Sequence, residues 1–215
     1  MEPTTAPLSG RRAQAARNDQ RILEAAREVF TADPTAPIAA VAQRAGVGIA
    51  ALYRRYASKD QLLRRLAGDG LGRYLAAAEA ALADGGDPWE AFAGFLHRSL
   101  DAGAGSLTVR LAGSFSATEE LRGQARTAFA VTQRLLERTK AAGALRPDVE
   151  AGDVALLLEQ LQAVRVGDPR RSSQLRHRYL AMVLDALHQP AAAPLPGPPP
   201  TPEELRRRYD GYVSP

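Results

Sequence analysis

Apolar residues along this chain recur at intervals of three and four, the period of a helix face, and nowhere alternate as in a strand. From Asp19 the positions Ile22, Ala26, Val29 and Phe30 form the first such stripe, and Asp33-Pro34 ends it, because proline disfavours helix in the residue before it. Pro37 suits the opening turn of a second helix with the stripe Ile38, Val41, Ala42 and Ala45, closed by Gly46. Gly46-Val47-Gly48 is a tight connection to a short third helix, Ile49 to Arg55. Leu52 is expected to face the core there, while Tyr53, Arg54 and Arg55 emerge outward. Ser58 offers an N-cap oxygen to a fourth helix that begins Lys59-Asp60-Gln61-Leu62-Leu63, with a bend expected at Gly68-Asp69-Gly70. Helix, glycine-containing turn and short helix make a helix-turn-helix.

The remainder reads as helices only. Asp87-Pro88 opens one carrying Trp89, Phe92, Phe95, Leu96 and Leu100; a short one runs from Leu107 to Leu111. Thr118 caps a long helix with Leu121, Phe129, Leu135 and Leu136, closed by the segment Gly143 to Pro147. Two more follow, one with Val154, Leu157, Leu158 and Leu161, the other with Leu175, Tyr179, Met182, Val183 and Leu187. The expected fold is all-α, an N-terminal three-helix helix-turn-helix domain plus a C-terminal helical ligand-binding and dimerisation domain. Its divisions are a flexible basic arm at 1–17, the helix-turn-helix at 18–66 and the helical body at 67–189. A Pro-rich tail at 190–215 is expected to be extended or disordered and ends in a short charged segment, Glu203 to Tyr212.

Charge sharpens this division. Through Leu66 the chain carries eleven Lys or Arg against six Asp or Glu, a net of +5, and the rest carries −1. A basic module on a neutral body is the distribution expected where side chains displace counterions from phosphate, although an Arg-rich solvated helix face would give the same count. With no cysteine, disulfides, thiolate metal sites and cysteine nucleophiles are excluded. His97, His177 and His188 have no metal-ligand spacing, and no glycine-rich phosphate loop follows a strand, so no enzyme is expected. There is no membrane-spanning run and no apolar leader, which points to a cytoplasmic protein without a membrane partner.

The stretch RILEAAREVF, then IAAVAQRAGVGIAALYRRYASKDQLLRRL, resembles the DNA-binding domain of the TetR family over residues 21–66, most specifically in AGVGIAALYRRYASKDQLL. The segment GALRPDVEAGDVALLLEQL looks like the entry to that family's two dimer-forming helices. The resemblance implies that residues 49–55 are a recognition helix lying in the major groove of an operator. The implied DNA-binding set is Gln43, Arg44, Gly48, Ile49, Ala50, Tyr53, Arg54, Arg55 and Lys59. Tyr53 and Lys59 match phosphate-holding positions, with the Tyr53 ring inside the domain and its hydroxyl at the backbone. Arg54 is the candidate for a bidentate pair with guanine, and Arg55 could serve phosphate. Tyr56 is read as core. The chain departs from the family pattern at Gly48 and Ala51, where hydroxyl residues are frequent, and at Ala57, where Pro is frequent.

The family's helical body encloses a small-molecule pocket, and Trp89, Phe92, Phe95, Leu96, Phe115, Phe129 and Gln133, with His97 nearby, are the implied lining for a mostly apolar effector of unknown identity. No cofactor and no metal is implied. A homodimer would form through residues 152–166 and 173–188, although the same leucines could instead complete a monomer core. The function implied is a sequence-specific repressor released from DNA by its effector. An α-helical ligand-binding or protein-interaction dimer with a weakened DNA-reading head is the alternative.

Overall fold

A computed structural model describes residues 10–33, 35–103, 115, 117–188 and 193–210, with the backbone alone described at 10–13, 206 and 208–210. Among these residues the elements are α-helices: α1 (Gly10–Ala32), α2 (Ile38–Ala45), α3 (Ile49–Arg55), α4 (Lys59–Ala83), α5 (Pro88–Asp101), α6 (Glu119–Ala141), α7 (Ala151–Ala163), α8 (Pro169–Leu187) and α9 (Pro202–Asp210). The chain divides into two compact units, 1–66 and 67–215. No described helix is long and apolar enough to cross a membrane. The arm before residue 10, Pro34 and the short helix expected at Leu107 to Leu111 lie outside the described residues.

In the first unit α1 packs on α2 through Ile22, Leu23, Ala26, Phe30, Val41 and Ala42, all buried. α1 begins at Gly10, well before the expected start at Asp19 and inside the stretch expected as a flexible arm. Its extra turns are alanine-rich and linked by side chains, with Arg17 donating to Gln14 (2.8 Å) and Gln14 to Asn18 (3.1 Å). Their side chains are exposed at residues 14–17, so an apolar period could not reveal them. Gly46 ends α2 at φ 63, the left-handed region where a Cβ is strained, and its missing side chain admits Arg21, whose guanidinium donates to the Ala45 carbonyl (2.6 Å). At the start of α4, Ser58 Oγ accepts the Gln61 N–H and the Gln61 amide oxygen accepts the Ala57 N–H. α4 is helical throughout Gly68-Asp69-Gly70, where Arg73 pairs with Asp69 one turn earlier.

In the second unit α5 packs against α6, α7 and α8 around Phe92, Phe95, Leu96, Leu135, Leu136, Val154, Leu158 and Leu180. Asp87 caps α5 and Thr118 caps α6 at the starts expected from the sequence, and Asp168 caps α8. Arg138 donates to the carbonyls of Ala81 and Leu82 at the end of α4, and Gln162 to that of Leu100 near the end of α5 (2.6 Å). Of the tail expected to be extended or disordered, residues 193–210 are described, and they lie against this unit. Ala193 and Leu195 are bonded to Arg146 and Asp148, and Thr201 with Glu204 caps α9.

Within the first unit, Asp19 of α1 is 13% exposed and accepts from Arg55 (2.7 and 3.0 Å) and from the Tyr56 hydroxyl (2.6 Å). Arg55 holds the Asp19 carboxyl below its ordinary range, while burial raises the Tyr56 phenol. Tyr56→Phe should cost about 1 kcal/mol, seen as roughly fivefold faster hydrogen exchange of the α3 amides. A depressed carboxyl stabilises fully above its unfolded pKa and loses that contribution as pH falls through the folded value. Acidification below about pH 4 should therefore destabilise the wild type more than Asp19→Asn. At the N-cap of α3, Gly48 offers no side-chain cap, and a Cβ added there would meet open space, so Gly48→Ser should stabilise α3 by a few tenths of a kcal/mol in the same exchange measurement.

Candidate nucleic-acid interface

α3 has seven residues, too few to be stable alone, so its outward face is set by what grips its inner side. Leu52 is fully buried beneath it, and Tyr56, just past its end, is buried and bonded to Asp19. With these two inward, the helical period turns Ile49, Ala50, Tyr53 and Arg54 outward together. Ile49 is 42% and Tyr53 48% exposed, large values for apolar and aromatic side chains. Gln43 and Arg44 in the last turn of α2 and Gly48 at the start of α3 are exposed as well.

Three of the residues expected at DNA stand differently. The Tyr53 ring lies outside the core, because Leu52 and Tyr56 already fill the space under α3. Arg55 stays exposed, its side chain 59% accessible, but is held to Asp19 by two charge-assisted bonds. The Lys59 ammonium donates to the carbonyls of Ala36 (2.7 Å) and Thr35 (3.3 Å) and lies 5.0 Å from the Phe30 ring centre, so it closes the turn between α1 and α2. Arg44 meets Glu28 at 2.5 Å, but both side chains are more than half exposed, and such a pair exchanges readily for another anion. Asp19 and Arg21, which hold the module together, are 24 to 37 residues from their partners and have no local spacing by which to be found.

The expected effector lining is divided. Phe92, Phe95 and Leu96 are buried in the core of the second unit, whereas Trp89, Phe115 and Phe129 pack partly buried at its margin. Gln133 is exposed. Its neighbour Thr132 lies on the buried stripe with Ala128, Val131 and Leu135, a period visible in the sequence, and bonds the buried Tyr74 hydroxyl (2.9 Å). Burial raises the Tyr74 phenol to about 12. Ser99 Oγ is buried without a hydrogen-bond partner among the described residues. His177 Nε2 donates to Asp101 (2.7 Å), and its Nδ1 shares a hydrogen bond with His97 Nδ1 (3.1 Å); burial, then His177, pushes His97 below its ordinary value. That pair is 80 residues apart in sequence and escaped the expected lining except for His97 itself. No group of three or more metal-ligating side chains occurs among the described residues.

Residues 22–66 match the family model described as bacterial regulatory proteins, tetR family, and residues 87–189 match that of the transcriptional regulator SbtR-like C-terminal domain. Among solved structures, a TetR transcription regulatory protein from Mycobacterium vanbaalenii is similar at 29% identity and TM-score 0.55, over 82% of this chain and 98% of that one. The TetR-like regulator LfrR from Mycobacterium smegmatis, in complex with proflavine, has 24% identity and TM-score 0.62 over 84% and 99%. FadR from Bacillus subtilis, in complex with stearoyl-CoA, shares the fold at 15% identity and TM-score 0.52 over 79% and 99%. No curated protein matches the chain. The two family models cover the helix-turn-helix and the helical body in turn, and the chain belongs to the TetR family of bacterial transcriptional regulators.

Proposed function

We propose that the protein is a sequence-specific operator-binding repressor that works as a homodimer and leaves DNA when a small, mostly apolar ligand occupies its helical body. The observation that carries this reading is the outward face of α3, where Ile49, Ala50, Tyr53 and Arg54 stand exposed on a helix whose other side is locked by Leu52 and Tyr56. Arg54 pairs with guanine O6 and N7 in the major groove, and Ile49 and Ala50 meet thymine methyls. Tyr53, Arg44 and the backbone at Gly48 place the helix against phosphates, with Gln43 at the edge of the groove. Lys59 and Arg55 position the head and are left out of the contact set, given their internal partners.

Two heads must be held at the spacing of operator half-sites, which calls for a two-fold dimer. The face expected to pair, residues 152–166 and 173–188, carries exposed Tyr179 and Met182 on α8 and half-buried Leu156 on α7. Effector control requires a ligand that binds the DNA-incompetent arrangement more tightly than the competent one. LfrR holds proflavine and FadR stearoyl-CoA in proteins of this fold. Here the aromatic margin of Trp89, Phe115 and Phe129 supports an apolar ligand.

Binding to duplex from the gene's own upstream region, with random competitor DNA across a salt series, tests the reading. A preference of about a thousandfold or more is expected; equal affinity for random duplex would leave only a ligand-binding dimer without sequence reading. Arg54→Ala should lower discrimination at one base position by about 1–3 kcal/mol while random-duplex affinity changes little. For the dimer, sedimentation should give twice the 23.0 kDa of one chain, and Met182→Arg, which places a charge in the apolar face, should return it to monomer.

A further inference from the structure

The matched family models end at residue 189, yet the chain beyond is built onto the body by specific contacts. Arg146 grips Asp148 through two parallel bonds (2.6 and 2.9 Å). That pair also receives the returning segment, Arg146 donating to the Ala193 carbonyl (2.7 Å) and the Leu195 N–H to Asp148 (2.7 Å). The backbone then crosses α7 at Gly152, so closely that a Cβ there would lie 2.3 Å from the Pro200 carbonyl oxygen. Beyond the crossing, Thr201 and Glu204 satisfy each other's backbone donors and start α9. Leu205 faces Leu156 across an open cavity of about 450 Å³ lined also by Pro198, Pro199 and Pro200.

Gly152 and Leu156 stand one turn apart on α7, on the flank away from Val154, Leu158 and Leu161, which face the core. They belong to the 152–166 face proposed above to meet a second copy. Packed helices need their axes about 8–10 Å apart, and a strap whose carbonyl touches the backbone at Gly152 leaves no room there for a partner's helix. We propose that residues 193–205 are a tethered competitor of the partner protomer: the strap covers the N-terminal half of α7 in the single chain and must leave before that half of the face can pair. Leu156 and the strap residues Pro198 to Pro200 and Leu205 line an open groove rather than a closed, packed contact, so a helix offering a full row of side chains displaces the strap. Tethering compensates for the poor fit, because a covalently attached segment acts at an effective concentration in the millimolar range. Dimerisation, and DNA binding with it, is thereby set weaker than the bare helical face would allow.

The inference rests on the dimer face proposed above, and the test separates the two. The dimer dissociation constant is measured by sedimentation for the full chain, for Gly152→Ala, for a chain ending at residue 192, and for the two changes combined. Gly152→Ala keeps the full length of the chain and improves helix propensity in α7, but its methyl group displaces the strap at Pro200. Each single change should tighten the dimer tenfold or more, and Gly152→Ala should add nothing in the shortened chain, since the strap it repels is gone. Protease cleavage within 193–205 should quicken in Gly152→Ala. Unchanged association in both variants overturns the competition, and weaker association does so by making the strap part of the interface. Met182→Arg is introduced into both lengths of chain. If it fails to weaken association in either, the dimer face itself is wrong and the competition falls with it; if it weakens both while the strap changes have no tightening effect, only the strap proposal falls.

Discussion

A recognition helix of two turns can be no more accurate than its mounting. α3 buries a single side chain of its own, Leu52, and a helix pinned at one point is free to roll about its axis. The second point is supplied from outside the helix, by Asp19 of α1, which takes the Tyr56 hydroxyl and the Arg55 guanidinium together. Gly46 and Arg21 fix the other end by closing α2 in the left-handed turn from which α3 departs. Roll, tilt and starting point of the helix are thus each assigned to a named contact, and the outward row Ile49, Ala50, Tyr53, Arg54 follows from those contacts.

This mounting explains which parts of the fold were legible in the sequence. The stripes of α2, α5 and α6 were visible because each faces a core, and burial imposes the helical period on residue type. The first turns of α1 face solvent, where alanine, glutamine and arginine satisfy helix propensity without any period, so the helix was longer than its apolar pattern. Likewise, a Pro- and Ala-rich composition marks chain that cannot build a packed face, but it says nothing of whether a few polar anchors elsewhere will hold that chain. Arg146 and Asp148 do so for the C-terminal segment from a distance of 47 residues.

Among the candidate site residues, the family pattern marks the span of α3 but not where the cations in and beside it end. Position along a motif fixes where a side chain starts, but where a long cation ends depends on the nearest anion or carbonyl in three dimensions. Arg55 found Asp19 and Lys59 found the carbonyls of Thr35 and Ala36, while Arg54, with Asp19 on the opposite side of the helix, stays outward. In the body, the polar groups that matter are those on buried stripes. Thr132 and Ser99 occupy such positions and Gln133 does not, a distinction the period carries although residue polarity conceals it.

The internal use of Arg55 and Lys59 also bears on how such a protein moves among genomic sites. Each cation kept from phosphate removes about 0.9 from the slope of log affinity against log salt and weakens attachment to duplex of any sequence. A head with two fewer such contacts dwells for less time at each wrong site, and more of its encounters are spent travelling. On the proposed reading, in which Arg55 and Lys59 keep their internal partners, the clamp that orients the recognition helix also weakens attachment to DNA that the protein is not built to read.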